Sequence, residues 1–140
     1  MFSSNLLARI KELHLPLGQY VVVGSGTLDV LGIRLAGDID IAVMPELFNK
    51  LQKDGGWEEE ERYGKIFLKK NDVEIIPQLS WEGYPTTVLQ AIASALVIDG
   101  ISFMNLEELK KFKKALGREK DASDIALIEQ YEEKIKKGIL

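Results

Sequence analysis

The sequence predicts an α/β (α+β) fold, a mixed central β-sheet flanked by helices. Three observations predict it. The apolar runs Tyr20–Val23 and Ile39–Val43 have strand length and β-branched composition. Residues 57–79 read as a meander of short strands, with Asn71-Asp72 as a turn between the last two. Stretches with apolar residues three and four apart stand before, between and after these runs.

Taken in order, Ser3 or Ser4 is placed to cap a first helix carrying Leu6, Leu7, Ile10 and Leu13, which Pro16 and Gly18 end. Strand Tyr20–Val23 leads into Gly24-Ser25-Gly26, and a short helix opens near Gly26-Thr27, with Leu28 and Leu31 buried and Gly32 closing it. After the Asp38–Val43 strand, Pro45 suits the first position of a helix to about residue 53, and Gly55-Gly56 breaks the chain. Strands follow at 57–62, 65–69 and 73–78, the last two joined by an Asn71-Asp72 turn. Pro85-Thr86-Thr87 starts a helix through Ala95, and Asp99-Gly100 is a two-residue hairpin signal between 96–98 and 101–103. Two helices finish the chain. Asn105 is placed to cap the first, which has Leu106, Leu109, Phe112 and Leu116 on its apolar side. Asp121 is placed to cap the second, with Ile125, Ile128 and Ile135 in register beside Tyr131. We expect one domain over 1–140, with the helices from about 105 packed on it.

Composition narrows the function. The 140 residues, 46% apolar and 29% charged, match an ordinary globular chain. No apolar run reaches membrane-spanning length, and the N-terminus lacks a secretory profile. With no cysteine there is no disulfide framework and no thiolate metal site, so a cytoplasmic protein is expected. The net charge of −4 argues against strong overall attraction to nucleic acid. Residues 110–120 nevertheless hold six bases against Glu119, which reads first as a solvated helix face.

The chemistry concentrates at one spacing. Asp38 and Asp40 share one face of their strand, while Ile39 and Ile41 take the other. Two such carboxylates beside a glycine-rich turn suit Mg²⁺ held against a triphosphate. Read piecemeal, Gly24-Ser25-Gly26 is a tight turn and Asp38 a turn residue after Gly37. That reading leaves unexplained why Asp40 interrupts an apolar strand. The opening of a dinucleotide fingerprint is also present, but Asp29 stands where its third glycine belongs.

Val23-Gly24-Ser25, twelve intervening residues and Asp38-Ile39-Asp40-Ile41 resemble the signature of the nucleotidyltransferase superfamily. Its members include DNA polymerase beta, antibiotic and minimal nucleotidyltransferases, and nucleotidyltransferase-type toxins. The resemblance implies the nucleotidyltransferase fold and a Mg²⁺-dependent enzyme. Such an enzyme moves a nucleoside monophosphate from an NTP, such as ATP, to a hydroxyl acceptor. It implies two magnesium ions on Asp38, Asp40 and a third carboxylate in an apolar strand. Val73-Glu74-Ile75-Ile76 supplies Glu74 for that role; Asp72 has the same parity and is the rival, although its place after Asn71 favours a turn. Backbone amides at Gly24, Ser25 and Gly26, with the Ser25 hydroxyl, would meet the terminal phosphates. Gly117–Asp121 followed by Ser123-Asp124-Ile125 resembles a closing segment of bacterial members, in which Arg118 or Lys120 would reach the triphosphate. Arg34, Lys65 and Lys69 are further candidate phosphate contacts, and Asp121 and Asp124 read as acids favouring a helix N-terminus.

The chain departs from antibiotic-modifying relatives, which carry an Arg soon after Gly-Ser where Gly26-Thr27-Leu28 stands here. It also lacks a long acceptor domain. The acceptor is therefore expected to be a protein, a tRNA end or a small metabolite, with room for a second subunit. The competing expectation is a catalytically inactive nucleotidyltransferase-like binding subunit, or an antitoxin of a toxin–antitoxin pair. His14 reads as structural; Trp57, Trp81 and Tyr84 are able to stack on a base, but core and rim packing is the commoner use of such residues.

Overall fold

The computed structural model describes residues 5–139. Its centre is a seven-stranded mixed sheet. The strands are β1 (Tyr20–Val23), β2 (Ile39–Val43), β3 (Glu58–Arg62), β4 (Lys65–Lys70), β5 (Val73–Ile76), β6 (Leu96–Ile98) and β7 (Ile101–Phe103). Their order is β3-β4-β5-β2-β1-β7-β6. The β2–β5 and β1–β7 pairs are parallel and the others antiparallel. The expected fold class is therefore observed at the level of a mixed sheet flanked by helices.

Alternation of side chains divides the core in two. One face carries Val22, Ile39, Ile41, Val43, Leu68 and Ile75 and is covered by Leu6 and Ile10 of α1 (Leu6–Lys11) and Leu47 and Leu51 of α3 (Pro45–Asp54). The other carries Val21, Val23 and Ala42 under Val88 and Ala91 of α4 (Val88–Ala93), Leu109 of α5 (Leu106–Leu116) and Ile128 of α6 (Glu119–Lys136). The short α2 (Ser25–Val30) joins β1 to β2 and sends Leu28 to the second core. None of the helices among the described residues is long and apolar enough to cross a membrane.

Local chemistry explains where the elements stop. The first helix ends at Lys11, earlier than Pro16 suggested; the chain then tightens through Leu13 N–H to Ile10 O and His14 N–H to Lys11 O bonds, and His14 takes a φ of 52°. Its expected caps Ser3 and Ser4 lie outside the described residues. Strand β5 stops at Ile76 because Pro77 has no N–H for the ladder. The fourth helix starts at Val88, where Thr87 and Gln90 form a capping box. Asp99 (φ 52°) and Gly100 (φ 77°) make the expected hairpin turn, and Asn105 caps α5 by accepting from the Glu108 N–H.

Two expectations for the last helix are corrected. It begins at Glu119, so Asp121 is not its N-cap; from one turn inside, Asp121 Oδ2 accepts the Arg118 N–H at 3.2 Å. Ile135 is 48% exposed, because beyond Ile128 none of the helix is buried.

Candidate functional site: a carboxylate group beside a glycine turn

Asp40 lies on the face of the sheet that α4, α5 and α6 cover only in part. Its strand neighbours in register are Val23 on β1 and Glu74 on β5. Glu74 faces Lys69 on β4, and Lys69 faces Glu58 on β3. Residues opposite one another share a face, so Asp40, Glu74, Lys69 and Glu58 form a charged row across four strands. Asp38, just before β2, has the parity of Asp40 and is exposed. The structure thus sets Glu74 beside Asp40 in register, with Asp38 two residues before Asp40. Asp72 is paired instead with Arg9 of α1 on the far side.

The glycine turn closes on the same carboxylate. Gly24 has a φ of 66°, and a Cβ there would stand 3.3 Å from Asp40 Oδ2. The bare glycine therefore lets the turn come down beside the carboxylate. Ser25 follows as the first residue of α2, partly exposed. Gly26 has a different reason to be glycine: a Cβ would come within 2.4 Å of Val22 Cγ1, so it packs α2 onto β1.

Electrostatics single out Asp40. Burial pushes its carboxyl up to about 6, and the negative Glu74 and Asp38 push the same way; Lys120 and Arg62 oppose them. Lys120 is exposed and close enough to be felt. Arg118 also feels Asp40, although its guanidinium is bound to Asp121, Nε to Oδ2 at 2.7 Å and Nη2 to Oδ1 at 3.1 Å. Both bases named from the sequence thus stand near Asp40, one free of ion pairs among the described residues and one engaged.

The third carboxylate carries a partner that sequence reasoning missed. Arg62 Nη2 lies 2.5 Å from Glu74 Oε2, and the same guanidinium sits 4.2 Å over the Phe67 ring. The register was readable: counting back from the turns at Tyr63-Gly64 and Asn71-Asp72 puts Arg62, Phe67, Lys69 and Glu74 on one face. Lys69, expected near phosphate, lies 3.7 Å from Glu60.

Arg34 is a clear correction. It is no free phosphate contact, because Nε and Nη2 grip the two oxygens of Asp124 at 2.7 Å each. Lys113 completes this network, with Nζ 2.8 Å from Asp124 Oδ2 and 3.5 Å from Asp121 Oδ1. The solvated-face reading of residues 110–120 therefore fails at Lys113, which is 4% exposed, and Lys110 is paired with Glu132. The signal was present: Leu106, Leu109, Lys113 and Leu116 fall on one helical stripe.

Chemically, the donor set is all hard oxygen, the kind magnesium takes. Asp38 and Asp40 fit such an ion, and Asp40 has excess negative charge for it to relieve. Glu74 does not fit while Arg62 holds it. Among the described residues, no three His, Cys, Asp or Glu side chains are gathered as a metal site. Comparison with protein-family models, with curated proteins and with solved structures finds no match to this chain.

Proposed function

We propose that this chain is a nucleotidyltransferase-type domain, which binds an NTP with Mg²⁺ at Asp38 and Asp40 and transfers its nucleoside monophosphate to a hydroxyl acceptor. One observation carries the reading: the bare Gly24 turn pressed against Asp40, whose carboxyl is crowded by Asp38 and Glu74. A turn residue and a buried structural acid have no need of this contact. Magnesium, when bound, supplies charge neutralisation of the triphosphate and of the attacking oxygen.

The chain's own residues have separate tasks. The turn at Gly24-Ser25 receives the terminal phosphates, and Lys120 adds positive charge on the α6 side. Glu74, released from Arg62, takes the acceptor's proton. A bond forms between the acceptor oxygen and the α-phosphorus, the bond from that phosphorus to the β-phosphate oxygen breaks, and pyrophosphate leaves.

The Arg62–Glu74 pair favours a second reading, an inactive member of the same fold that binds a partner. Calorimetric titration of a non-hydrolysable NTP analogue, with and without Mg²⁺, separates the two. The expected result is Mg²⁺-dependent binding to the wild type that is lost in the double variant Asp38→Asn/Asp40→Asn. Absence of binding to folded wild-type protein would overturn the transferase and leave the binding subunit.

A further inference from the structure

A second feature lies on the same sheet face, beside the carboxylates. Phe67 and Ile76 share the face of Lys69 and Glu74, two residues along their strands, so they begin about 7 Å from Glu74. They floor a cleft of about 680 Å³, roofed by Phe112 and Ala115 of α5 and walled by Trp81. That volume suits a small molecule. Its site-ward end is Leu116, and Gly117 and Arg118 follow directly towards Asp40.

The walls are built for a flat ring. Trp81 lines the cleft while 40% exposed, and Tyr63 at its mouth is 91% exposed, so two large aromatic residues are left out of the core here. The indole is held rather than loose. It packs edge-on to Phe112 with centroids 5.8 Å apart and lies 5.5 Å from the Tyr84 ring. Backbone hydrogen bonds in both directions tie Trp81 to Tyr84. Gly83 leaves room for it, as a Cβ there would come within 2.8 Å of Trp81 Nε1. On the floor, the Phe67 face already stacks with one flat group, the Arg62 guanidinium. Lys65, with no ion pair among the described residues, and Gln78 supply polar contacts at the edge.

We propose that this cleft binds a flat aromatic ring joined to a hydroxyl group, the acceptor of the transfer. The ring site stands on the cleft itself; the role as acceptor rests on the function proposed above. Position distinguishes acceptor from nucleotide. The glycine turn lies on the β1 side of Asp40 and the cleft on the β5–β4 side. In-line displacement puts the attacking oxygen opposite the leaving one, so a leaving pyrophosphate at Gly24-Ser25 places the acceptor towards Glu74 and the cleft.

The test reads Trp81 directly. Trp57 is the other of the two tryptophans and stacks with Lys70, so a Trp57→Phe protein reports on Trp81 alone. Adenosine and N-acetyltyrosinamide are titrated separately, without NTP or Mg²⁺, with cyclohexylmethanol as the non-aromatic control. A saturable change in Trp81 emission with either ring compound, absent with the control, is expected, and which one binds distinguishes nucleoside from phenol. Ala115→Phe should weaken that binding at least ten-fold; Ser80→Phe narrows the cleft from the loop side and serves if the helix variant does not fold. No saturation in folded protein, equal response to cyclohexylmethanol, or unchanged affinity in the filled cleft would overturn the proposal. Calorimetry of Mg²⁺–NTP analogue is run in parallel. Analogue binding without ring binding defeats the cleft alone, whereas ring binding without analogue binding defeats the transferase and hence the acceptor role.

Discussion

Asp40 and Asp124 are both carboxylates withdrawn from water on the same side of the sheet, and their surroundings are opposite. Burial alone would raise Asp124, but hydrogen bonds from Arg34 and Lys113 outweigh it and hold the carboxyl down at about 2. Around Asp40, burial and the negative Glu74 and Asp38 act together, and it rises to about 6. The Asp121–Asp124 group has Arg34, Lys113 and Arg118 against two acids. A satisfied network of this kind fixes the start of α6 and the bases near it. An unsatisfied group costs stability unless something positive arrives, and that is the condition expected of a cation site.

The comparison breaks most visibly at Asp124. Its removal strands Lys113, whose side chain is 5% exposed, with only the longer contact to Asp121. Asp124→Ala should lower unfolding free energy by about 3–5 kcal/mol, measured by urea denaturation at neutral pH. A double change of Lys113→Met and Asp124→Leu should recover part of the loss, because it removes the stranded ammonium while Arg34 still loses its carboxylate and Asp121 its contact to Lys113. A single-variant cost under about 1 kcal/mol would show that Asp124 is not the compensated partner described here.

At Asp40 the sign reverses. The folded protein holds a proton there that the unfolded chain has already released, so this group's contribution falls as pH rises from about 4 to about 6. Asp40→Asn should therefore stabilise the fold at pH 7 by about 2–3 kcal/mol, and by almost nothing at pH 4. The same variant should lose Mg²⁺-dependent nucleotide binding. Unfolding free energies of the two proteins between pH 4 and 8 give the curve, and a flat difference would mean that Asp40 is already neutralised. Asp124 acts at the other limb. Its contribution is complete above the ordinary aspartate range and is lost as pH falls from about 4 towards about 2.

This contrast explains what was legible beforehand. The strands, the hairpin at Asp99-Gly100 and the cap at Asn105 follow from local pattern and turn chemistry, and they are found there, although β5 ends at Ile76 rather than at 78. Asp40 and Glu74 stand out in the sequence because each is a charge inside an apolar strand, and Asp38 because it precedes Asp40 by two. Partners at long sequence separation were not. Arg34 meets Asp124 across 90 positions, and neither residue alone signals the other. Lys113 was the exception: it interrupts the apolar stripe of α5 as Asp40 interrupts β2. Both breaks in pattern mark buried charge, and only the partners tell structural charge from chemical charge. Arg62 fell between these cases, legible by register alone and overlooked beside four glutamates in its own strand.

Arg62 is also where the comparison can be sharpened with the smallest expected effect. It is the base that brings the Asp40 group part of the way towards the compensated state, by pairing with Glu74 and lowering Asp40. Its side chain is 35% exposed, so the pair itself is worth no more than about 1 kcal/mol. Arg62→Gln should therefore leave the fold intact and free a third carboxylate beside Asp38 and Asp40. Magnesium titrated into the variant should bind about five-fold more tightly than to the wild type, a gain of about 1 kcal/mol. Adding Glu74→Gln should cancel that gain, because the freed carboxylate is then gone. If the affinity does not change, Glu74 is no donor to the cation, and Asp38 and Asp40 alone carry whatever positive charge the site receives.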